Sequence, residues 1–234
     1  MITVHTVAYN EEVFVKFMID HYRKRFPTCH IVIHDNYSSD KTVEIAKANG
    51  AEVQYFDTCG YFSDTANVTI KNNAWKNDKT DWVLCCDMDE LLDITEEQLK
   101  QEEALGTTIV KSRGYAMVNM EDNYDLENIK YGAYSPPYGK DYLFNKKFIK
   151  EIRYVHGCHK TNPIGKVQYS KTEYKGLHFK NVNADLLVKR VKEFGARLSP
   201  ENLKHGWGRH YLLTEENIRE DFRVARLDVT KIID

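Results

Sequence analysis

Three strand–helix units follow one another within the first 90 residues, and this repetition restricts the possible folds more than any other feature of the chain. Ile2 to Ala8 is rich in β-branched residues and reads as a strand. Residues 11–26 then set Val13, Phe14, Phe17, Met18, Tyr22 and Phe26 on one helical face. His30 to His34 is a second strand, followed by the turn Asp35-Asn36-Tyr37-Ser38-Ser39-Asp40. Ser38, Ser39 and Asp40 are expected to cap the next helix, which stops at Asn49-Gly50. Ala51 to Phe56, a helix from Thr65 to Asn77 and the strand Trp82 to Cys86 complete the series. Strands separated in this way pair in parallel through right-handed crossovers, which predicts a doubly wound α/β sheet.

Regularity fades after residue 93. Thr95 and Gln98 have capping-box spacing for a helix reaching Leu105. Thr107 to Arg113, Tyr142 to Ile149 and Lys166 to Tyr169 have strand character, so the sheet is expected to become mixed. Residues 120–141 are rich in Asp, Asn, Tyr, Gly and Pro, and a loop of that length is commonly functional. Leu187, Val191, Phe194 and Leu198 share a helical face, as do Ile218, Phe222, Ala225 and Val229. No repeat or interdomain linker is visible, and 234 residues suit one domain.

Composition narrows the function. A net charge of −2 gives no footprint for nucleic acid. No stretch approaches the ~20 apolar residues of a membrane span, and the N-terminus lacks signal-peptide character. The five cysteines (Cys29, Cys59, Cys85, Cys86 and Cys158) are an odd number without CxxC spacing. Free thiols in a reducing, cytoplasmic compartment are expected. No GxGxxG follows a strand, which disfavours a dinucleotide cofactor.

Ligands of open parallel sheets bind beyond the carboxyl ends of the strands. That rule selects Ala8-Tyr9-Asn10-Glu11, Asp35-Asn36, the loop opening at Asp57, and Asp87-Met88-Asp89-Glu90. Two aspartates flanking one residue at a strand end can offer oxygen to one hard cation, Mn²⁺ or Mg²⁺, together with a substrate diphosphate. Such an ion offsets charge on a departing phosphate oxygen.

With these runs in place, the chain resembles family 2 glycosyltransferases of the GT-A fold. The resemblance rests on Val7-Ala8-Tyr9-Asn10-Glu11-Glu12, on Asp35 to Thr42 and on Asp81 to Glu90, and it covers residues 1–93. It implies a GT-A-like α/β fold with a Rossmann-type N-terminal half, a mixed central sheet and C-terminal helices. On this resemblance, residues 1–93 would form the nucleotide-binding half of a single domain and 94–234 the acceptor-binding half. It further implies a nucleotide-diphosphate sugar donor, a UDP-sugar above a GDP-sugar, and a glycan or other hydroxyl acceptor.

The site residues follow from the same resemblance. Thr6, Ala8 and Asn10 would border the nucleotide, Asp35 would meet the base or ribose, and Lys71 the base or diphosphate. Asp87 would sit near ribose and metal, Asp89 would bind the metal, and His178, in Gly176-Leu177-His178, would complete it. Glu90 is expected to play a supporting part. The Gly206 to Tyr211 run could lay Trp207 or Tyr211 on a sugar, with the 120–141 loop on the acceptor side. One departure matters: no Glu-Asp lies where an inverting enzyme keeps its base. Asp122 and His159 are the candidates, and inversion, though expected, stays open. A non-catalytic sugar-nucleotide-binding domain is the main alternative. A haloacid-dehalogenase-type phosphatase would need a Gly-Asp pair, which the chain lacks.

Overall fold

The computed structural model describes residues 1–121 and 123–233. The expected alternation is present. Strands β1 (Ile2–Ala8), β2 (His30–Asp35), β3 (Glu52–Tyr55) and β4 (Trp82–Asp87) are separated by helices α1 (Val15–Arg25), α2 (Thr42–Ala48) and α3 (Asp64–Asn73). All pair in parallel in the order β3-β2-β1-β4. Strand order reverses between β1 and β4, so the crevice beyond their carboxyl ends is the place for a ligand.

Antiparallel strands extend the sheet past β4. They run outward as β8 (Leu143–Asn145), β6 (Ile109–Val118) and β7 (Tyr131–Tyr134), while β5 (Glu90–Asp93) lies off this path and α4 (Glu96–Ala104) falls between β5 and β6 in sequence. The Thr95–Gln98 capping box is present in full. The expected strand Tyr142 to Ile149 is broken, because Lys146 to Phe148 turn away before β9 (Ile149–Glu151), which pairs with β10 (Ile164–Gly165). The largest difference lies in β11, which runs from Tyr169 to Asn181 rather than Lys166 to Tyr169. Gly176 is therefore in mid-strand and makes no turn. A Cβ there would stand 2.9 Å from Tyr138 O and 3.1 Å from the Tyr142 ring, so close packing is what requires glycine. β11 pairs in parallel with β6 and antiparallel with β5, which sets His178 opposite Glu90.

Helices α5 (Ala184–Ala196), α6 (Pro200–His205) and α7 (Glu215–Ala225) finish the chain with the short strand β12 (Thr230–Lys231). The capping role expected of the first polar turn falls to Asp40 alone, whose Oδ1 accepts from the N–H of Thr42, the first residue of α2, at 2.9 Å. Lys41 holds the cap position, while Ser38 and Ser39 bond to Asp35 and Asn10.

Side chains alternate across β1 and β4, so the two faces of the sheet have separate cores. Val4, Ile33, Leu84 and Cys86 pack under α1, whereas Val83, Cys85, Trp75 and Phe144 pack on the other side. Adjacent Cys85 and Cys86 therefore point apart, and all five cysteines are unpaired. A third, smaller cluster joins α5 to α7 through Leu187, Val191, Ile218 and Phe222. Among the described residues no helix is long and apolar enough to cross a membrane.

Two histidines tie this packing to pH. His34 Nε2 lies 3.0 Å from His5 Nδ1, and His5 Nε2 lies 2.8 Å from Asp78 Oδ2. Burial, then the His5 ring, pushes His34 down to about 4, and burial with Arg25 pushes His21 down to about 4 as well. The unfolded chain takes up protons on both from about pH 6.5, whereas the native state resists until about pH 4. The stabilisation they give is thus fully present above pH 6.5 and lost as pH falls toward 4, by up to about 3 kcal/mol for each. Urea titrations at pH 7, 5.5 and 4 should show a falling midpoint; a flat profile across that window would refute the assignment.

Candidate active site

The carboxyl ends of β1, β2 and β4 open into a cavity of about 620 Å³, closed on the far side by α5 and the turn before α7. That volume suits a small organic ligand. Its floor is charged. Asp87 ends β4, and Lys71 and Lys140 both contact its carboxylate. Lys71 is the buried residue of α3, placed one helix before the motif strand. Lys140 reaches in from the loop before β8 and also pairs with buried Glu90, 2.7 Å from Oε1. Asp89 Oδ2 is 3.0 Å from Arg190 Nη2 on α5, and Arg190 also pairs with Glu11 after β1. His178 Nε2 stands 3.5 Å from the same Asp89 oxygen.

Four carboxyl groups, of Glu11, Asp87, Asp89 and Glu90, thus interleave with three cations, Lys71, Lys140 and Arg190. Burial works against charge on Asp87, but Lys71 and Lys140 outweigh it and hold the carboxyl well below the usual range. Asp89 is likewise held low against burial by Arg190 and His178. Burial disfavours the Lys71 cation, yet Asp87 overrides it and raises its pKa. Glu11 goes the other way: burial pushes it up to about 8 despite Arg190. Removing one partner of such a buried pair typically costs about 3–5 kcal/mol, because the other charge is stranded.

The expected site residues divide into two groups. Ala8, Lys71, Asp87, Asp89, His159 and His178 line the cavity. Thr6, Asn10 and Asp35 are not among the residues that line it. Thr6 and Asp35 are fully buried, and Ser38 occupies both Asp35 oxygens through its N–H, at 2.9 Å, and its hydroxyl. Asn10 sits in the left-handed region at φ 54° and clasps Ser39 and Glu193. These side chains shape the loops, and their neighbours Tyr9, Glu11 and Asn36 supply the wall. Asp122 lies outside the described residues. Trp207 lines the cavity but is stacked on His156 and His205, at 3.7 and 4.6 Å between ring centroids.

The donor chemistry of Asp87, Asp89 and His178 suits a divalent cation: carboxylate oxygens with one imidazole, whose Nδ1 is buried without a partner. Among the described residues no three such groups already converge as a metal-holding cluster. Lysine and arginine take the carboxylate oxygens instead, so an ion entering here competes with Arg190 for Asp89.

Sequence reasoning missed Lys140, Arg190 and Arg197. The last two had a visible signal, for they recur at 187-190-194-197 along the apolar stripe of α5, where a solvated cation has no reason to sit. Lys140 had none.

Comparison with known proteins adds the family. No curated protein sequence matches the chain. Among solved structures, S. aureus TarS superposes with a TM-score of 0.50 at 13% identity, over 83% of this chain and 39% of that one. S. aureus TarS 1-349 in complex with UDP-GlcNAc gives 0.45 at 14% identity, over 95% and 71%. The mannosyltransferase PcManGT from Pyrobaculum calidifontis, in complex with GDP-Man and Mn²⁺, gives 0.47 at 11%, over 96% and 73%. The first of these likenesses concerns the fold alone. The sequence model for glycosyl transferase family 2 matches residues 3–160, about two-thirds of the chain. With that match joined to the β1, β2 and β4 motifs and the crevice they form, the chain belongs to glycosyl transferase family 2.

Proposed function

We propose that the protein is a metal-dependent glycosyltransferase that moves a sugar from a nucleoside diphosphate, UDP above GDP, to an acceptor hydroxyl. The observation that carries this reading is the meeting of Asp87 and Asp89 with three buried cations at the β1–β4 switch point, inside a cavity of suitable size. Lys71 and Lys140 are held charged beneath that cavity and attract a diphosphate. A Mn²⁺ or Mg²⁺ ion held by Asp87, Asp89 and His178 would supply Lewis acidity toward the leaving diphosphate.

His159 is the candidate base. Its Nδ1 lies 2.7 Å from Pro137 O, and donation to that carbonyl leaves Nε2 as an acceptor. Burial, then Lys140, lowers its pKa below the usual 6.5, so the ring is neutral at pH 7 and can take the proton of an acceptor hydroxyl. Attack opposite the leaving group then inverts the anomeric carbon. Pro137 and Tyr138, at the end of the 120–141 loop, form the acceptor side.

Thermal stability with UDP, GDP and ADP, each with Mn²⁺ or with chelator, tests the donor reading. UDP with Mn²⁺ at about a hundred times its dissociation constant should add about 2.7 kcal/mol. Stabilisation equal in chelator removes the metal from the proposal, and none with any nucleotide overturns it. Transfer should also persist to below pH 6.5 before protonation of His159 silences it, and His159→Ala should abolish that acid limb.

A further inference from the structure

Arg197 follows α5 as its C-cap residue, far in sequence from the motif strands. Its guanidinium carbon lies 3.1 Å from the centroid of the Tyr9 ring, just beyond β1. Nη2 donates to Asn36 Oδ1 at 2.6 Å, and Nε donates to Gly60 O at 2.8 Å. Nη1 is buried with no partner. One side chain thus draws together the ends of β1 and β2 and the loop before α3, and keeps a hydrogen-bond donor unused. It stands where the main cavity meets a second, shallow pocket lined by Tyr9, Asn36, Tyr37, Asp57 and Gly60. Tyr37 is 60% exposed and takes φ 57°, a conformation that a bulky residue rarely adopts without a reason.

We infer that Arg197 is a specificity residue that reads the nucleobase of the donor. The inference rests on the proposed nucleotide-sugar reading. Asp87 and its lysines fix the diphosphate end of the crevice, and the shallow pocket lies toward β2 and β3, on the other side of β1 from Asp87. A planar base there finds aromatic and guanidinium faces to stack on, as in other base-binding sites. The free Nη1–H wants a carbonyl acceptor, which uracil and guanine carry as exocyclic oxygens and adenine lacks. Arg190 and Arg197 are seven residues apart, two helical turns, so α5 would meet the nucleotide at both ends.

Calorimetric titration of the whole chain in Mn²⁺ with UDP, ADP and inorganic pyrophosphate tests this. Arg197→Ala and Arg197→Lys should each weaken UDP about 10-fold or more, equivalent to about 1.4 kcal/mol, and erase the preference for UDP over ADP. Pyrophosphate, which has no base, should bind as to the unaltered chain. The lysine variant keeps charge and reach, so it serves if the alanine variant fails to fold. UDP bound unchanged or more tightly by the variants would show Arg197 to be a plug and overturn the inference alone. Equal losses for UDP and pyrophosphate would overturn it too, assigning Arg197 to the crevice wall. If the unaltered chain binds no nucleotide, the inference falls together with the function it rests on.

Discussion

Asp89→Asn is expected to cut sugar transfer by about 10³-fold with little loss of fold stability. The substitution is isosteric, and Arg190 keeps its contact with Glu11, whose ionisation the Asp89 charge opposes, so Glu11 can take up the negative charge and no cation is stranded. What is lost is the negative charge that Arg190 and His178 surround and that the proposed metal needs. Nucleotide release in a single turnover, with a thermal melt beside it, separates the two effects. Transfer within a few-fold of the unaltered chain would remove Asp89 from the proposed chemistry.

The second large effect concerns backbone rather than charge. A Cβ on Gly114 would fall 2.3 Å from both Gly139 N and Tyr138 C, and 2.5 Å from Ser135 O. The Tyr138–Gly139 peptide and the Ser135 carbonyl are backbone and cannot yield as a side-chain tip does, so Gly114→Ala must push the turn at Pro136 to Tyr138 off β6. Overpacking of this kind costs about 3 kcal/mol. The displaced turn carries Tyr138, packed edge-on against His178 at 4.1 Å, and leads into Lys140 beneath Asp87. Stability and donor affinity should therefore fall together. A denaturant midpoint close to that of the unaltered chain would show that the turn has more freedom than this packing allows.

Gly114 also marks where sequence reading stops. The first half of the chain was legible because its contacts are local in pattern: β-branched runs, amphipathic helices and polar turns announce themselves within a dozen residues. Asp87 and Asp89 were legible for the same reason, as polar residues ending an apolar strand. β11 was not, since Ser170-Lys171-Thr172-Glu173 lacks strand alternation and its extent is decided by β5 and β6, more than fifty residues away. His178 nevertheless lies near the motif, because pairing with Glu90 brings it there. Asp35 stood out as an aspartate ending a strand, but its local partner did not: Ser38, three residues on, donates to both of its oxygens. The cations that neutralise the floor could not be paired with their carboxylates from sequence, because Lys140 and Arg190 lie 53 and 101 residues from Asp87 and Asp89.

The α5–α7 cluster has its own small apolar core, and much of its attachment to the strand ends is polar: Arg190 to Glu11 and Asp89, Arg197 to Asn36 and Gly60, and Asn202 to Asp64. Bonds of that kind exchange with water at little net cost, whereas parting two apolar cores does not. Helices α5 to α7 are therefore expected to open at lower cost than the main sheet. A ligand touching both walls joins the two units, so occupancy of the crevice and the folding of α5 to α7 are thermodynamically linked, and slower amide exchange in those helices is the signature of a filled site.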